Sequence, residues 1–223
     1  MEQNIFEQVH GRLIVSCQAE CAVAGGAAAI RSCGVEKTDY IIRHVPLPVI
    51  GLTKSHFDDG FVRITGSFAE VEQLIAIGTP LIAVDGTFRR REGGLTGPEY
   101  IRAIKQRYPD HAIMADISTV EEAVACREAG ADCVSTTLCG YTPQTADDAE
   151  HGPSVDMLKR CVEALPGCPV FAEGRYNTPA EAALAVEAGA WAVVVGSAIT
   201  RPHLITRWFA DAVQDAANGK KQE

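Results

Sequence analysis

The sequence predicts an α/β fold built as a single (β/α)8 TIM barrel. Eight short apolar runs alternate with longer stretches of helical character along the 223 residues. The runs are continuously apolar, as strands of a parallel sheet buried on both faces are. The length exceeds one typical domain but falls short of two, and it lies near the lower limit for this barrel. The predicted strands are Leu13–Cys17, Ala27–Arg31, Val49–Lys54, Leu81–Asp85, Ala112–Asp116, Cys133–Leu138, Val170–Glu173 and Ala192–Gly196.

Six helices are predicted between these strands, and their ends carry recognisable signals. An S/T-x-x-E capping box begins at Ser67 and at Thr119, and proline follows Thr178 at the first helical position. Glycine ends several of them, as is common at helix C-termini. The predicted helices are Val35–His44, Ser67–Gly78, Gly97–Tyr108, Thr119–Gly130, Ser154–Leu165 and Thr178–Gly189.

The main alternative is a doubly wound open sheet. No G-x-G-x-x-G motif follows the first predicted strand, which disfavours that fold. No linker divides the chain, so residues 1–217 are predicted to form one barrel domain. Residues 218–223 are predicted to be a disordered tail.

The first connection, Ala19–Gly26, is short for a parallel crossover, which normally takes a dozen or more residues. The first crossover helix is therefore predicted to be truncated or missing. We expect an almost extended connection or one ragged turn. The side of the barrel that a full helix would cover is expected to be covered by a dimer partner or to remain a weak point in the stability of the fold.

Charge and composition exclude several functional classes. Twenty Lys and Arg residues against 29 Asp and Glu give a net charge of −9, which disfavours nucleic acid as a partner. No apolar run reaches the 18 residues that a membrane span needs, and the N-terminus lacks a signal-peptide core. A cytoplasmic location is therefore expected. Eight cysteines without a C-x-x-C pair suggest reduced thiols, and six scattered histidines give no support to a metal site.

Ionisable and polar residues stand at the predicted strand ends, which in this fold meet at the active-site face. Lys54 is a candidate base, because partial burial beside Arg31 would lower the pKa of its amine. Asp116 and Glu173 are candidates for a pair of carboxylates in the active site. Each could instead have a structural role, holding Arg31 or Lys54 in place. Asp85 could equally cap the segment that follows it. The strand-end positions are Gln18, Arg31, Lys54, Asp85, Asp116, Thr137, Glu173 and Gly196-Ser197.

A phosphate site is predicted after strands seven and eight, where this fold commonly binds phosphate. Glycine lets backbone amides approach an anion, serine adds a hydroxyl, and arginine adds charge. The candidate residues are Gly174, Arg175, Gly196, Ser197 and Arg201.

A series of motifs at the strand ends resembles one known family, N-acetylmannosamine-6-phosphate 2-epimerase. The resemblance extends from about residue 5 to residue 215. The motifs are Leu13-Ile-Val-Ser-Cys-Gln18, Val49-Ile-Gly-Leu-Thr-Lys54, Ala83-Val-Asp-Gly-Thr87, Thr136-Thr-Leu-Cys-Gly-Tyr-Thr142, Ala172-Glu-Gly-Arg-Tyr-Asn-Thr-Pro179 and Val195-Gly-Ser-Ala-Ile-Thr-Arg201.

The resemblance implies a homodimeric barrel enzyme of amino-sugar breakdown that uses no organic cofactor. It would interconvert the 6-phosphates of N-acetylmannosamine and N-acetylglucosamine. Lys54 matches the family's catalytic lysine and Glu173 its catalytic glutamate. Substrate contacts are implied for Gln18, Arg31 and Asp116, and Thr137 is expected beside them. Arg201 with the Gly196-Ser197 turn matches the phosphate clamp.

The sequence departs from the family's pattern in three places. The family has a longer segment with a full helix where this chain has Ala19–Gly26. Cys139 stands where the family commonly has serine, and the loop Phe88–Gly94 is rich in arginine rather than proline. Two alternatives therefore stay open. One is a non-catalytic sugar-phosphate-binding protein, and the other is a phosphosugar isomerase or a lyase that uses Lys54 as a Schiff base.

Overall fold

In the part of the chain that the structure describes, seven parallel strands form the sheet of a nearly closed barrel. The computed structural model describes residues 17–219, with the backbone alone for 148–151 and Gly219. The strands are β1 (Ile30–Cys33), β2 (Val49–Leu52), β5 (Leu81–Asp85), β6 (Ala112–Asp116), β7 (Cys133–Ser135), β8 (Val170–Glu173) and β9 (Ala192–Val194), and a separate hairpin holds β3 (Lys54–His56) and β4 (Val62–Ile64). The strand order around the sheet is β1-β2-β5-β6-β7-β8-β9. The predicted α/β barrel is confirmed.

Helices follow the strands and cover the outside of the sheet. The side chains of Ser67, Thr119 and Thr178 each accept a hydrogen bond from the backbone amide of the Glu three residues later, so the predicted caps are confirmed. The helices are α1 (residues 17–24), α2 (Val35–His44), α3 (Phe68–Ala76), α4 (Gly97–Arg107), α5 (Val120–Glu128), α6 (Val155–Ala164), α7 (Pro179–Glu187), α8 (Ser197–Thr200) and α9 (Pro202–Gly219). Short 3₁₀ segments span Glu92–Gly94, Thr136–Leu138 and Pro143–His151.

The buried apolar side chains form two layers, one on each face of the sheet. The outer layer packs the strands against the helices and includes Val84, Ile113 and Leu158. The inner layer fills the barrel and includes Met114 and Phe171. Side chains that point to the same face of a strand are two residues apart. Asp116 and Glu173, two residues after Met114 and Phe171, therefore also point into the barrel, at the carboxyl ends of their strands.

The first crossover helix is truncated, as predicted, but the expectation of an almost extended connection or one ragged turn is wrong. Residues 17–24 are helical and form about two turns, with Ala19 buried against Ile41 and Val49. The helix ends in a glycine turn, where Gly26 has a φ of 88° and its amide donates to the carbonyl of Val23. Of the predicted strand Leu13–Cys17, Cys17 is helical and the rest lies outside the described residues.

The predicted strand Val49–Lys54 ends earlier than expected. β2 stops at Leu52, and Lys54 begins the antiparallel hairpin of β3 and β4. Thr65 joins this hairpin to the barrel, since its amide donates to the Thr53 carbonyl and its hydroxyl to the Ala83 carbonyl. Its left-handed φ of 48° is uncommon for a β-branched residue.

The elements from α7 to α9 expose much apolar surface. On α9, Phe209 and Val213 are 72% and 69% exposed, and Trp191 just before β9 is 70% exposed. Among the described residues, β9 and β1 are the two end strands of the seven-stranded sheet. α9 continues through Asn218 and Gly219, and residues 220–223 lie outside the described part.

Candidate active site

A buried ion cluster lies at the carboxyl ends of the strands. Arg31 Nη1 donates to Asp116 Oδ1 at 3.0 Å and Nη2 to Oδ2 at 2.6 Å, which is a bidentate pair. Arg31 Nη1 also lies 3.1 Å from Glu173 Oε2. The Asp116 side chain is fully buried, and those of Arg31 and Glu173 are 9% and 17% exposed. The structure thus brings together three of the predicted site residues, from β1, β6 and β8.

Hydroxyl groups link the two carboxyls of this cluster. Thr137 Oγ1 donates to Asp116 Oδ1 at 2.7 Å, so this predicted site residue lies beside the cluster. Ser135 Oγ lies 2.8 Å from Thr137 Oγ1 and 3.3 Å from Glu173 Oε2. Thr136 bonds through its hydroxyl to both the amide and the carbonyl of Glu173, which fixes the backbone of that residue. Our sequence reasoning missed Ser135 and Thr136.

Burial and charge act in opposite directions on these groups. Burial raises the pKa of Glu173, Arg31 lowers it, and the charge of Asp116 raises it again, so the pKa lies above its usual value. Burial also raises the pKa of Asp116, against the opposing effects of Arg31 and Thr137. The pKa of Arg31 is lowered by burial but raised more by its two carboxyl partners, so it remains a cation.

Lys54 lies just beyond the carboxyl end of β2. It follows Leu52, an inner-layer residue at the end of that strand, by two residues and begins the hairpin of β3 and β4. β2 is the strand that pairs with β1, which carries Arg31. The expectation that Lys54 is partly buried is wrong, since the residue is exposed. Among the described residues its amine has no hydrogen-bond or ion-pair partner, so it is free to meet a ligand.

Asp85 serves a local structural role. Its carboxylate accepts hydrogen bonds from the amide and the hydroxyl of Thr87 and pairs with Arg89 at 2.8 Å. Arg91, also buried, donates to the Asp85 carbonyl. From the sequence, Asp85 is predicted to be either an active-site carboxylate or a cap for the segment that follows it, and these contacts favour the cap. The arginine-rich loop is thereby tied to the end of β5.

The predicted phosphate loops follow two neighbouring strands, since β8 pairs with β9. Gly174 directly follows β8 with a φ of 106°. Gly196 precedes the one-turn helix α8, which begins with Ser197 and ends at Thr200, and the exposed Arg201 follows as its C-cap. Gln18, which is predicted to contact the substrate, donates through Nε2 to the Thr200 carbonyl at 3.0 Å, so it lies beside this loop.

Arg175 faces the neighbouring loop rather than open solvent. Its guanidinium donates to the carbonyls of Gly152 and Cys139 and lies over the ring of Tyr141. Gly140 makes room for it, since a Cβ there would lie 2.5 Å from Arg175 Nη1. Arg175 therefore holds two loops together at the mouth.

The described residues contain no group of three or more His, Cys, Asp or Glu side chains placed to hold a metal ion. The cysteines of residues 17–219 are all free thiols. None of the described helices combines the length and apolarity that crossing a membrane requires.

Comparison with known proteins decides the family. Residues 15–215 match the family model described as "Putative N-acetylmannosamine-6-phosphate epimerase". The chain belongs to this family. Two relatives, each named "Putative N-acetylmannosamine-6-phosphate 2-epimerase", are 40% identical in Caldanaerobacter subterraneus subsp. tengcongensis and 43% identical in Shouchella clausii. The alignments cover 96% of both chains in the first case, and 93% of this chain and 91% of the relative in the second.

A solved structure also matches the fold. The N-acetylmannosamine-6-phosphate 2-epimerase from Clostridium perfringens superimposes with a TM-score of 0.84 at 39% sequence identity. The match covers 92% of this chain and 87% of that chain. The residues matched by the family model include every predicted site residue, from Gln18 to Arg201.

Proposed function

We propose that this chain interconverts N-acetylmannosamine 6-phosphate and N-acetylglucosamine 6-phosphate by moving a proton at C2. The observation that carries the proposal is the buried cluster of Arg31, Asp116 and Glu173 at the carboxyl ends of the strands, with the exposed Lys54 just beyond the end of the neighbouring strand β2. Family membership supports the same substrate pair. Because the substrate is a phosphorylated amino sugar, we place the reaction in the cytoplasm and in sialic acid breakdown.

The chemistry requires a base and a means of stabilising negative charge. The C2 hydrogen is acidic only because the aldehyde of the open-chain sugar lies next to it, so an enolate must form. We assign Lys54 as the base at C2 and Glu173 as the acid that donates a proton to the sugar oxygen. Arg31 and Asp116 orient the substrate from below. No step needs a cofactor.

The phosphate would bind at the two glycine loops after β8 and β9. Glycine at 174 and 196 permits close approach of the backbone, and Ser197 begins a helical turn whose first amides have no intrahelical acceptor. Arg201 supplies the positive charge, while Arg175 supports the loop from the far side. Binding energy from the phosphate would help to position C2 at Lys54.

Replacing Arg201 tests this clamp. Arg201→Ala should weaken binding of both the substrate and inorganic phosphate by about 1.5–3 kcal/mol, the usual loss for a hydrogen bond to a charged group. Arg207→Ala is the matched control, because Arg207 is also exposed but lies within α9. Calorimetric titration measures both affinities, and unchanged values in Arg201→Ala would place the phosphate elsewhere.

The apolar face of α9 supports a homodimer. Ile205, Phe209 and Val213 recur every four residues and form one stripe, of which Phe209 and Val213 are largely exposed. Exposed apolar patches of this kind are typical of protein interfaces. A second copy of the chain would also cover the exposed Trp191, which lies just before β9.

Charge on this stripe should separate the two copies. We expect Phe209→Asp to sediment as a monomer, because burying an unpaired carboxylate in the interface is costly. Gln214→Asp adds the same charge on the polar face of α9 and should leave the dimer intact. Analytical ultracentrifugation distinguishes the two results. A wild-type monomer at every concentration would contradict the proposed dimer.

Incorporation of solvent deuterium at C2 of the sugar tests the function itself. A non-catalytic binding protein would give none. A lyase that forms a Schiff base with Lys54 would be trapped by borohydride in the presence of substrate, whereas the proposed epimerase would not.

A further inference from the structure

We propose that Asp116 and Glu173 share one proton through the hydroxyls of Ser135 and Thr137, which makes Ser135 a positioning residue for proton transfer at Glu173. The proposal rests on the proposed function for its catalytic consequence. The shared proton itself follows from the contacts of the buried cluster.

The argument is a count of hydrogens along a chain of four side chains. Three contacts link the carboxyls: Asp116 Oδ1 to Thr137 Oγ1 at 2.7 Å, Thr137 Oγ1 to Ser135 Oγ at 2.8 Å, and Ser135 Oγ to Glu173 Oε2 at 3.3 Å. Each hydrogen bond needs one hydrogen, but the two hydroxyls supply only two. If both carboxyls were ionised, one contact would set two oxygen lone pairs against each other. A protonated carboxyl supplies the missing hydrogen.

The bonds to Arg31 indicate which carboxyl holds the proton at rest. Asp116 accepts two bonds from the guanidinium, and Glu173 has one contact with it, at 3.1 Å. The second Arg31 bond favours the ionised form of Asp116. Glu173 is therefore the neutral acid in the resting cluster.

Other ionisable groups around the pair leave this assignment in place. Cys133 on β7 is held neutral, since burial raises the pKa of its thiol to about 12. Asp85 on β5 is buried, and its carboxylate is already paired with Arg89. β9 presents apolar Val194 opposite Glu173. The titratable and charged groups that face the pair are Arg31 and Cys33 on β1, Asp85 on β5 and Cys133 on β7.

The chain of hydroxyls lets Glu173 change its role without exchange with solvent. In one concerted shift, the Glu173 proton moves to Ser135, the Ser135 proton to Thr137 and the Thr137 proton to Asp116. Three O–H bonds break and three form, so the charge of the cluster is unchanged. Glu173 is then a carboxylate that accepts a proton from the sugar. When no proton has been taken from the sugar, the reverse shift returns the proton from Asp116 to Glu173, so both forms of Glu173 are available for a reversible epimerisation.

Infrared spectroscopy of the ligand-free protein tests the shared proton directly. We expect the C=O stretching band of a protonated carboxyl at neutral pH, and we expect Glu173→Gln to remove it. In Ser135→Ala the band should shift, because the acid loses its acceptor. Ser118→Ala is the matched control, since Ser118 is a buried serine near Asp116 whose hydroxyl bonds Glu122. Absence of the band from the wild-type protein would overturn the proposal, whether or not the protein is an epimerase.

Steady-state kinetics test the role of Ser135. We expect Ser135→Ala to lower kcat about tenfold or more with little change in KM, because the groups facing the sugar remain in place. The kcat of the variant should also depend on pH differently, since the two carboxyls would titrate separately. Ser135→Thr, which keeps the hydroxyl, should retain more activity than Ser135→Ala. Wild-type kcat and pH dependence in Ser135→Ala would contradict the relay.

Discussion

Lys54→Ala is expected to lower kcat by about 10²–10⁴, the usual cost of losing a general base. The fold should be unaffected, because the Lys54 side chain is exposed and its amine has no hydrogen-bond or ion-pair partner among the described residues. KM should change little, since the phosphate loops and Arg31 remain. Turnover of N-acetylmannosamine 6-phosphate, followed by detection of the second sugar phosphate, measures the effect.

A second substitution separates the base from its charge. Lys54→Arg keeps a cation at the same place, but a guanidinium does not give up its proton at neutral pH. We expect it to be nearly as inactive as Lys54→Ala. Lys37→Ala, which removes another exposed lysine from α2, is the control and should be fully active. Activity near the wild-type level in Lys54→Ala would remove Lys54 from the mechanism.

Arg31→Met should destabilise the fold more than any surface change. It leaves two buried carboxyls without their cation, and breaking a buried ion pair in this way costs about 3–5 kcal/mol. Arg43→Met is the control, because Arg43 is 68% exposed and pairs only at the surface with Asp39. That change should cost at most about 1 kcal/mol. Urea unfolding measures both variants.

The free energy of unfolding that Arg31→Met loses should be smaller at pH 5 than at pH 7. Burial raises the pKa of Asp116 and of Glu173 in the folded state, so the folded protein binds their protons more tightly than the unfolded chain does. Stability from such groups is present at low pH and is lost as the pH rises through the folded pKa. The free energy of unfolding of Arg31→Met should therefore rise from pH 7 to pH 5. If the loss of unfolding free energy is the same at pH 5 as at pH 7, or larger, the two carboxyls are not its cause.

Much of the fold could be predicted because local signals and burial agree. The capping boxes at Ser67, Thr119 and Thr178 each start a helix where predicted, and the apolar runs form the parallel strands. Arg31 and Glu173 came together because the carboxyl ends of all parallel strands meet at one face. Their positions followed from topology alone.

The errors concern segments in which local sequence admits two conformations. Apolar residues around Cys17 fit a strand as well as a helix, and the glycines at 25 and 26, which end α1, were the signal that favoured the helix. The hairpin after β2 begins with the polar run Lys54-Ser-His56, which has no apolar alternation to reveal it. Ser135 was missed because a small polar residue in an apolar strand gives no sign of its partners, which come from β8 and the following turn.

The fate of the hydrogen at C2 tests the central claim most directly. Purified protein is incubated with N-acetylmannosamine 6-phosphate in deuterated water, and magnetic resonance follows the C2 position of both sugar phosphates. We predict that deuterium enters at C2 as N-acetylglucosamine 6-phosphate forms, with both processes slowed together in Lys54→Ala. Conversion without deuterium at C2, or no conversion and no exchange in the wild-type protein, would contradict the account.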